Sequence, residues 1–204
     1  SLGCIAAHHK RHLKWEHPFL GHNIDGEYPV DALIKELKEN KMVGVASGRA
    51  EFGPRALGNR SLLADPRGEG IKDLVNSIKK RQKFRPFAPA ILEEDVHDYF
   101  TLPKAVQNTP YMQFTAACTH GKDFPAIIHH DNTSRVQTVR KTDNPGFHAL
   151  LTEWKNQTGC PILLNTSLNI KGQPIVNSPE DAIKCFLKYK IDFLFIGDYI
   201  LQKR

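Results

Sequence analysis

Apolar and polar positions along the chain fall into helix-period and strand-period segments. Val30, Leu33, Ile34 and Leu37 recur at helical spacing with Asp31 near the start, and the run from Met42 to Gly48 follows as a short buried strand. Ile71, Leu74, Val75 and Ile78 share one helical face. Phe147 to Thr158 reads as a helix stopped by Gly159, and the run from Cys160 to Asn169 as a buried strand opening into a polar loop. Ser178, Pro179 and Asp181 make a strong helix start before a last strand that begins near Ile191. Between these, the stretch from Pro125 to Val139 reads as a hairpin: a strand, a turn at Asp131 and Asn132, and a second strand in which Arg135 and Gln137 alternate with Val136. Helices and strands alternate, so the expected class is α/β, with a mixed sheet.

The first 28 residues break this pattern. A small, apolar, helix-like stretch is followed by five histidines and then by a Gly- and Pro-bearing segment, which marks a linker. The expected organisation is a remnant of a preceding domain and its linker over residues 1–28, and one domain over residues 29–204. A chain of 204 residues with 40% hydrophobic and 25% charged positions is ordinary globular material, without repeats or low-complexity tracts. Its apolar runs are broken by charge well before the ~20 residues of a membrane span. The four cysteines show no CxxC spacing and nothing resembles a signal peptide, so a reducing cytoplasm is expected. A net charge of +6 suits an anionic ligand, a nucleic acid or an acidic partner without choosing among them.

Three stretches carry chemistry. In "GRAEFGPRALGNRS", glycines and a proline turn the backbone sharply while Arg49, Arg55 and Arg60 supply planar forks that match phosphate or carboxylate oxygens two at a time. It is not a Walker loop, and pairing of its arginines with Glu51 and Asp65 is an equally open reading. The run "KKRQKFR" offers Lys79, Lys80, Arg81, Lys83 and Arg85, with Phe84 and Phe87 able to bury part of it and aim selected charges inward. Asn165, Thr166, Ser167 and Asn169 follow a buried strand, where open α/β sheets bind ligands; a plain Asx or Ser turn would use the same residues. His129, His130 and Asp131 form an incomplete ligand set, so no metal site is assigned.

These motifs, together with "HHDNTSRVQTV", "NTSLNIKGQPIVNSPEDAI" and "IDFLFIGDY", resemble in order and spacing the C-terminal domain of the carbamoyltransferase family of nodulation-factor and antibiotic O-carbamoyltransferases, from about Val30 to Tyr199. The resemblance implies a YrdC-like twisted mixed sheet flanked by helices. It implies binding of ATP, with Mg²⁺, and of carbamoyl phosphate to form carbamoyl adenylate, with transfer to an acceptor hydroxyl left to an N-terminal domain that carries its own metal site. Carried over residue by residue, Arg55, Lys79, Arg81 and Arg135 become the expected catalytic residues. Arg49, Lys80, Arg85, His129, Asn165, Thr166, Ser167 and Asn169 become the expected substrate- or nucleotide-binding residues, and Lys80 replaces Lys79 if the register slips by one. Asn132 stands where the family usually shows glycine, His130 where it shows a small or apolar residue, and Gln82 where a glutamate often follows. The expected partners are ATP, carbamoyl phosphate and the N-terminal domain, with neither membrane nor nucleic acid. The alternative is a basic nucleic-acid or anion-binding module without catalysis.

Overall fold

The computed structural model of the chain describes residues 2–14, 16–40, 42–68 and 70–203. Its centre is a seven-stranded mixed sheet. In chain order the strands of the molecule are β1 (Asn23–Ile24), β2 (Met42–Ala46), β3 (Gly48–Arg49), β4 (Arg60–Ala64), β5 (Ala88–Leu92), β6 (Phe100–Thr101), β7 (Ala116–Cys118), β8 (Thr133–Ser134), β9 (Gln137–Val139), β10 (Ile162–Ser167), β11 (Phe193–Ile196) and β12 (Tyr199–Gln202). The large sheet runs β12-β11-β2-β4-β10-β5-β9, with β2–β11 and β5–β9 parallel and the other pairs antiparallel. The smaller sheets pair β1 with β3 and order β6-β7-β8.

Strand alternation sorts the core into two layers. Val43, Val45, Leu63 and Leu163 pack with Leu33 and Leu37 of α2 (Val30–Asn40) and Phe147 and Trp154 of α5 (Pro145–Thr158). Met42, Ala46, Leu62 and Leu164 pack on the opposite side with Val75 of α3 (Ile71–Ile78) and Phe186 of α6 (Pro179–Lys188). The helix ends follow the sequence signals. Ser178 and Asp181 form a complete capping box with Pro179 at the first position of α6. Gly159 closes α5 in the left-handed region at φ 71°, and α5 starts two residues before the expected Phe147 because Asn144 caps it and Pro145 opens it. The other helices are α1 (Leu2–His8) and the single turn α4 (Val96–Tyr99). No helix among the described residues is long and apolar enough to cross a membrane.

Two expectations are corrected. The stretch from Pro125 to Val139 is not a hairpin: its first half is a series of turns, β8 pairs with β7, and β9 pairs in parallel with β5. Asn132 turns the chain at φ 61°, with its backbone N–H donating to the His129 carbonyl at 3.1 Å, a left-handed position that suits asparagine or glycine. The last expected strand is two strands, β11 and β12, joined through Gly197 at φ 51°. The segment read as a linker is hydrogen-bonded to the domain. Gly21 N–H donates to the Ala50 carbonyl at 2.9 Å, Ala50 N–H to the His22 carbonyl at 3.0 Å and His22 N–H to Asn177 Oδ1 at 2.9 Å.

Candidate active site

The arginine-rich loop between β3 and β4 is fixed by a dense set of buried hydrogen bonds. Glu51 Oε1 accepts from the N–H groups of Leu57 at 2.7 Å, Asn59 at 2.8 Å and Arg60 at 3.3 Å, and burial pushes its carboxyl up from the ordinary value. The Leu57 carbonyl accepts from Gln137 Nε2 at 3.1 Å, the Gly58 carbonyl from the Tyr28 hydroxyl at 2.9 Å, and the Ala56 carbonyl from Asn165 Nδ2 at 3.0 Å. Gly58 sits at φ 118° where a Cβ would run into the Phe147 ring, so both its backbone and its packing require glycine. The backbone around Arg55 is thereby held from four sides while the Arg55 side chain stays exposed.

Arg60 is a strut. It is fully buried, and its guanidinium donates to the carbonyls of Ser47, Gly48, Asn59, His22 and Asn177 at 2.8–3.3 Å. Burial pulls it down to about 10. The alternative pairing of the motif's arginines with Glu51 and Asp65 does not occur: Glu51 serves backbone amides, and Asp65 pairs with Arg67 at 2.8 Å.

The basic run after α3 is organised by Asn76, which is fully buried. Its Oδ1 accepts from Arg81 Nε at 2.5 Å and its Nδ2 donates to the carbonyls of Lys83 and Arg85 at 3.0 and 2.9 Å. The Arg81 guanidinium lies 4.0 Å from the centre of the Phe87 ring, which carries it inward as a cation over an aromatic face.

These elements meet where the end of β10 lies beside the start of β5 and the approach to β9. A cavity of about 170 Å³ there is lined by Arg55, Arg81, Arg85, Arg135, Asn165, Thr166 and Ser167, with Phe87 and Met112. No ion pair among the described residues includes any of the four arginines. Burial, and then the neighbouring Arg85 and Arg135, bring Arg81 down to about 10; burial, and then Arg55 and Arg85, lower Arg135. Converging cations with no counter-charge repel one another, and an entering anion would relieve that repulsion, so the lining suits an anion. Arg135 also borders two flanking cavities, one of about 390 Å³ with Phe84, Thr115 and His129, the other of about 480 Å³ with Glu51, Phe52, Tyr111 and Gln113.

The remaining expected residues fall around this centre. Lys79 is buried outside the lining; its Nζ donates to the Ser167 carbonyl at 2.6 Å, to Asn169 Oδ1 at 2.5 Å and to the Asn169 carbonyl at 3.3 Å, and burial pulls it down to about 8. Ser167 Oγ donates to Asn169 Oδ1 at 2.7 Å, so Lys79, Ser167 and Asn169 form one knot behind the arginines. Lys80 is exposed at φ 51° and borders none of these cavities, so the inward lysine is Lys79. Arg49 lies apart, donating to the carbonyls of Leu20 and Gly21 at 3.1 and 3.3 Å. His129 bonds Thr133 Oγ1 at 2.9 Å on the rim, while His130 and Asp131 are exposed. Among the described residues no three His, Cys, Asp or Glu side chains are grouped to hold a metal, and the arginine cavity offers Mg²⁺ no carboxylate. Glu51, Asn76, Gln137 and Tyr28, which build the site, were not among its expected residues. Only the apolar residues on one side of each, Val75 before Asn76 and Val136 before Gln137, could have hinted at buried amides.

Solved structures share this architecture. HypF in a phosphate- and nucleotide-bound form matches with a TM-score of 0.58 at 18% identity, over 83% of this chain and 25% of that one. P. abyssi Sua5 complexed with L-threonine matches with a TM-score of 0.58 at 15% identity, over 86% of this chain and 49% of that one. The fold is the YrdC-like mixed sheet. In sequence, nodulation protein NolNO of Sinorhizobium fredii is 44% identical over 171 residues, 82% of this chain and 25% of that protein. The 3'-hydroxymethylcephem-O-carbamoyltransferase of Amycolatopsis lactamdurans is 37% identical over 177 residues, 85% of this chain and 33% of that protein. The chain thus spans about a quarter to a third of these relatives' length. The family model for the carbamoyltransferase C-terminus matches residues 34–203, which takes in the arginine loop, the basic run and the knot at the end of β10, and the chain belongs to that family.

Proposed function

We propose that the arginine cavity takes the phosphate groups of ATP and of carbamoyl phosphate and that the chain forms carbamoyl adenylate, which the rest of a longer protein passes to an acceptor hydroxyl. The observation that carries this reading is the convergence of Arg55, Arg81, Arg85 and Arg135, unpaired by any carboxylate, on the polar end of β10. Two phosphorylated substrates repel each other, and fixed cations in a partly dry pocket offset that repulsion without reorganising during the reaction. HypF, solved with phosphate and nucleotide bound, supports a place for both on a protein that shares this fold, and the cephem O-carbamoyltransferase supports a carbamoyl group delivered to a hydroxymethyl oxygen.

For atoms to balance, carbamoyl phosphate first loses its phosphoryl group to water, giving carbamate and inorganic phosphate. A carbamate oxygen then forms a bond to the α-phosphorus of ATP, the α–β anhydride breaks, and pyrophosphate leaves with the electron pair. Arg55 and Arg135 stabilise the charge that develops at phosphorus; Lys79, through Ser167 and Asn169, fixes the floor of the site. Mg²⁺ finds no protein ligand set here, and no step is assigned to it.

Calorimetric titration tests the reading. ATP and carbamoyl phosphate should each give saturable heat, and Arg135→Ala should weaken both. Binding of RNA with no response to ATP would replace this reading with that of a nucleic-acid-binding module.

A further inference from the structure

Buried amides around the cavity fix one another's orientation. The Leu57 carbonyl can only accept, so the Gln137 amide must turn its nitrogen toward it, as the 3.1 Å contact shows. Gln137 Oε1 is thereby turned to Asn165, whose Nδ2 donates to it at 2.7 Å and to the Ala56 carbonyl at 3.0 Å. Both amides are buried and neither can flip without setting oxygen against oxygen. What is left is Asn165 Oδ1, a buried acceptor with no partner, on a residue that lines a cavity whose other charged side chains are all donors. Arg135 Nε is its complement, a buried donor with no partner.

A phosphoryl group brings acceptors only: it can serve Arg135 but would set lone pairs against Asn165. A carbamoyl group brings an oxygen that accepts and an NH₂ that donates. The base and ribose of a nucleotide also carry donors, but the flanking cavities are larger, and Phe84, Phe52 and Tyr111 there give a base an aromatic face. We propose that Asn165 Oδ1 recognises the amino group of the carbamoyl ligand and that Gln137 is the positioning residue that turns Asn165 to do so. The inference rests on the reading of the cavity as a carbamoyl phosphate site, and it makes that site selective for an acyl phosphate with N–H where acetyl phosphate has a methyl group.

The test is calorimetric titration of the full chain with carbamoyl phosphate, acetyl phosphate and ATP, repeated for Gln137→Leu and Asn165→Ala. The wild type should bind carbamoyl phosphate about tenfold or more tightly than acetyl phosphate, the order that one unmatched buried polar group costs. Gln137→Leu, which matches the glutamine in size and leaves Asn144 still donating to the Leu57 carbonyl at 3.4 Å, should bring the two ligands within about twofold and lower ATP affinity less than carbamoyl phosphate affinity. Asn165→Ala should likewise bring the two acyl phosphates within about twofold of each other and lower ATP affinity less than carbamoyl phosphate affinity. Equal affinity of the wild type for the two acyl phosphates overturns the proposal, whether or not either variant folds. Loss of ATP affinity in step with carbamoyl phosphate in the variants also overturns it, by assigning Asn165 to the nucleotide. Failure of the wild type to bind either acyl phosphate overturns the underlying reading of the site as well.

Discussion

At the scale of single residues, the basic side chains divide into three kinds by what surrounds them. Arg60 has carbonyls on every donor and is structural; Arg55 and Arg135 border the cavity without a counter-charge; Lys83 pairs loosely with Asp73 at 3.6 Å on the surface. Arg55→Ala and Arg135→Ala should therefore each lower carbamoyl phosphate-dependent pyrophosphate release by on the order of a hundredfold, the effect of losing one preorganised donor. Lys83→Ala should change it less than about twofold, as for other exposed pairs. Lys79 adds a pH signature. Its folded value of about 8 lies below the ordinary 10.5, so the folded chain holds that proton less tightly than the unfolded one. Stability should then rise with pH between about 8 and 10.5, while ATP affinity falls mainly between about pH 7 and 9, where Lys79 of the folded chain loses its charge. Melting temperatures and titrations across these ranges check both trends, and Lys79→Met should flatten them. The sequence made the arginines and the strand-end polar residues legible because their types announce anion chemistry. It could not separate Arg60 from Arg55, since both are arginines in one glycine-broken loop and only the carbonyls of Ser47, His22 and Asn177, far apart in the chain, tell them apart.

At the scale of elements, α2, α3, α5 and α6 were readable because periodicity or caps mark each within its own segment, as the capping box of α6 and the left-handed Gly159 after α5 show, whereas the single turn α4, without a side-chain cap, was not. The stretch from Pro125 to Val139 was not, because alternation shows which residues want burial and not which strand they pair with. Here β8 and β9 find partners in β7 and β5, outside the segment itself. The site depends most on the loop that carries Arg55. Gly58→Ala combines backbone strain with an intrusion on the Phe147 ring and should destabilise the fold by about 2–4 kcal/mol in urea unfolding. Gly53→Ala meets no atom within 4 Å, so its cost is the backbone's alone, about 1–2 kcal/mol. Ser178→Ala, which removes the cap of α6 and borders none of these cavities, should cost about 1 kcal/mol and leave ATP affinity intact.

At the scale of the whole molecule, a mixed sheet with a two-layer core brings a loop after β3, a turn after α3, the link between β8 and β9 and the end of β10 to one place. Residues 55, 81, 135 and 167 are distant in sequence, so their convergence belongs to topology, which periodicity alone does not reveal. The net charge of +6 acquires meaning only here, because part of it is concentrated where no acid neutralises it. The central claim is that this concentration serves adenylate formation, and exchange of labelled pyrophosphate into ATP tests it most directly, since only a reversible adenylate returns pyrophosphate to the nucleotide. The account predicts that the full chain incorporates label into ATP when carbamoyl phosphate is supplied and fails to do so without it, and that Arg135→Ala slows the exchange by on the order of a hundredfold. Absence of exchange from a chain that binds both ligands, or exchange at the same rate without carbamoyl phosphate, would contradict it.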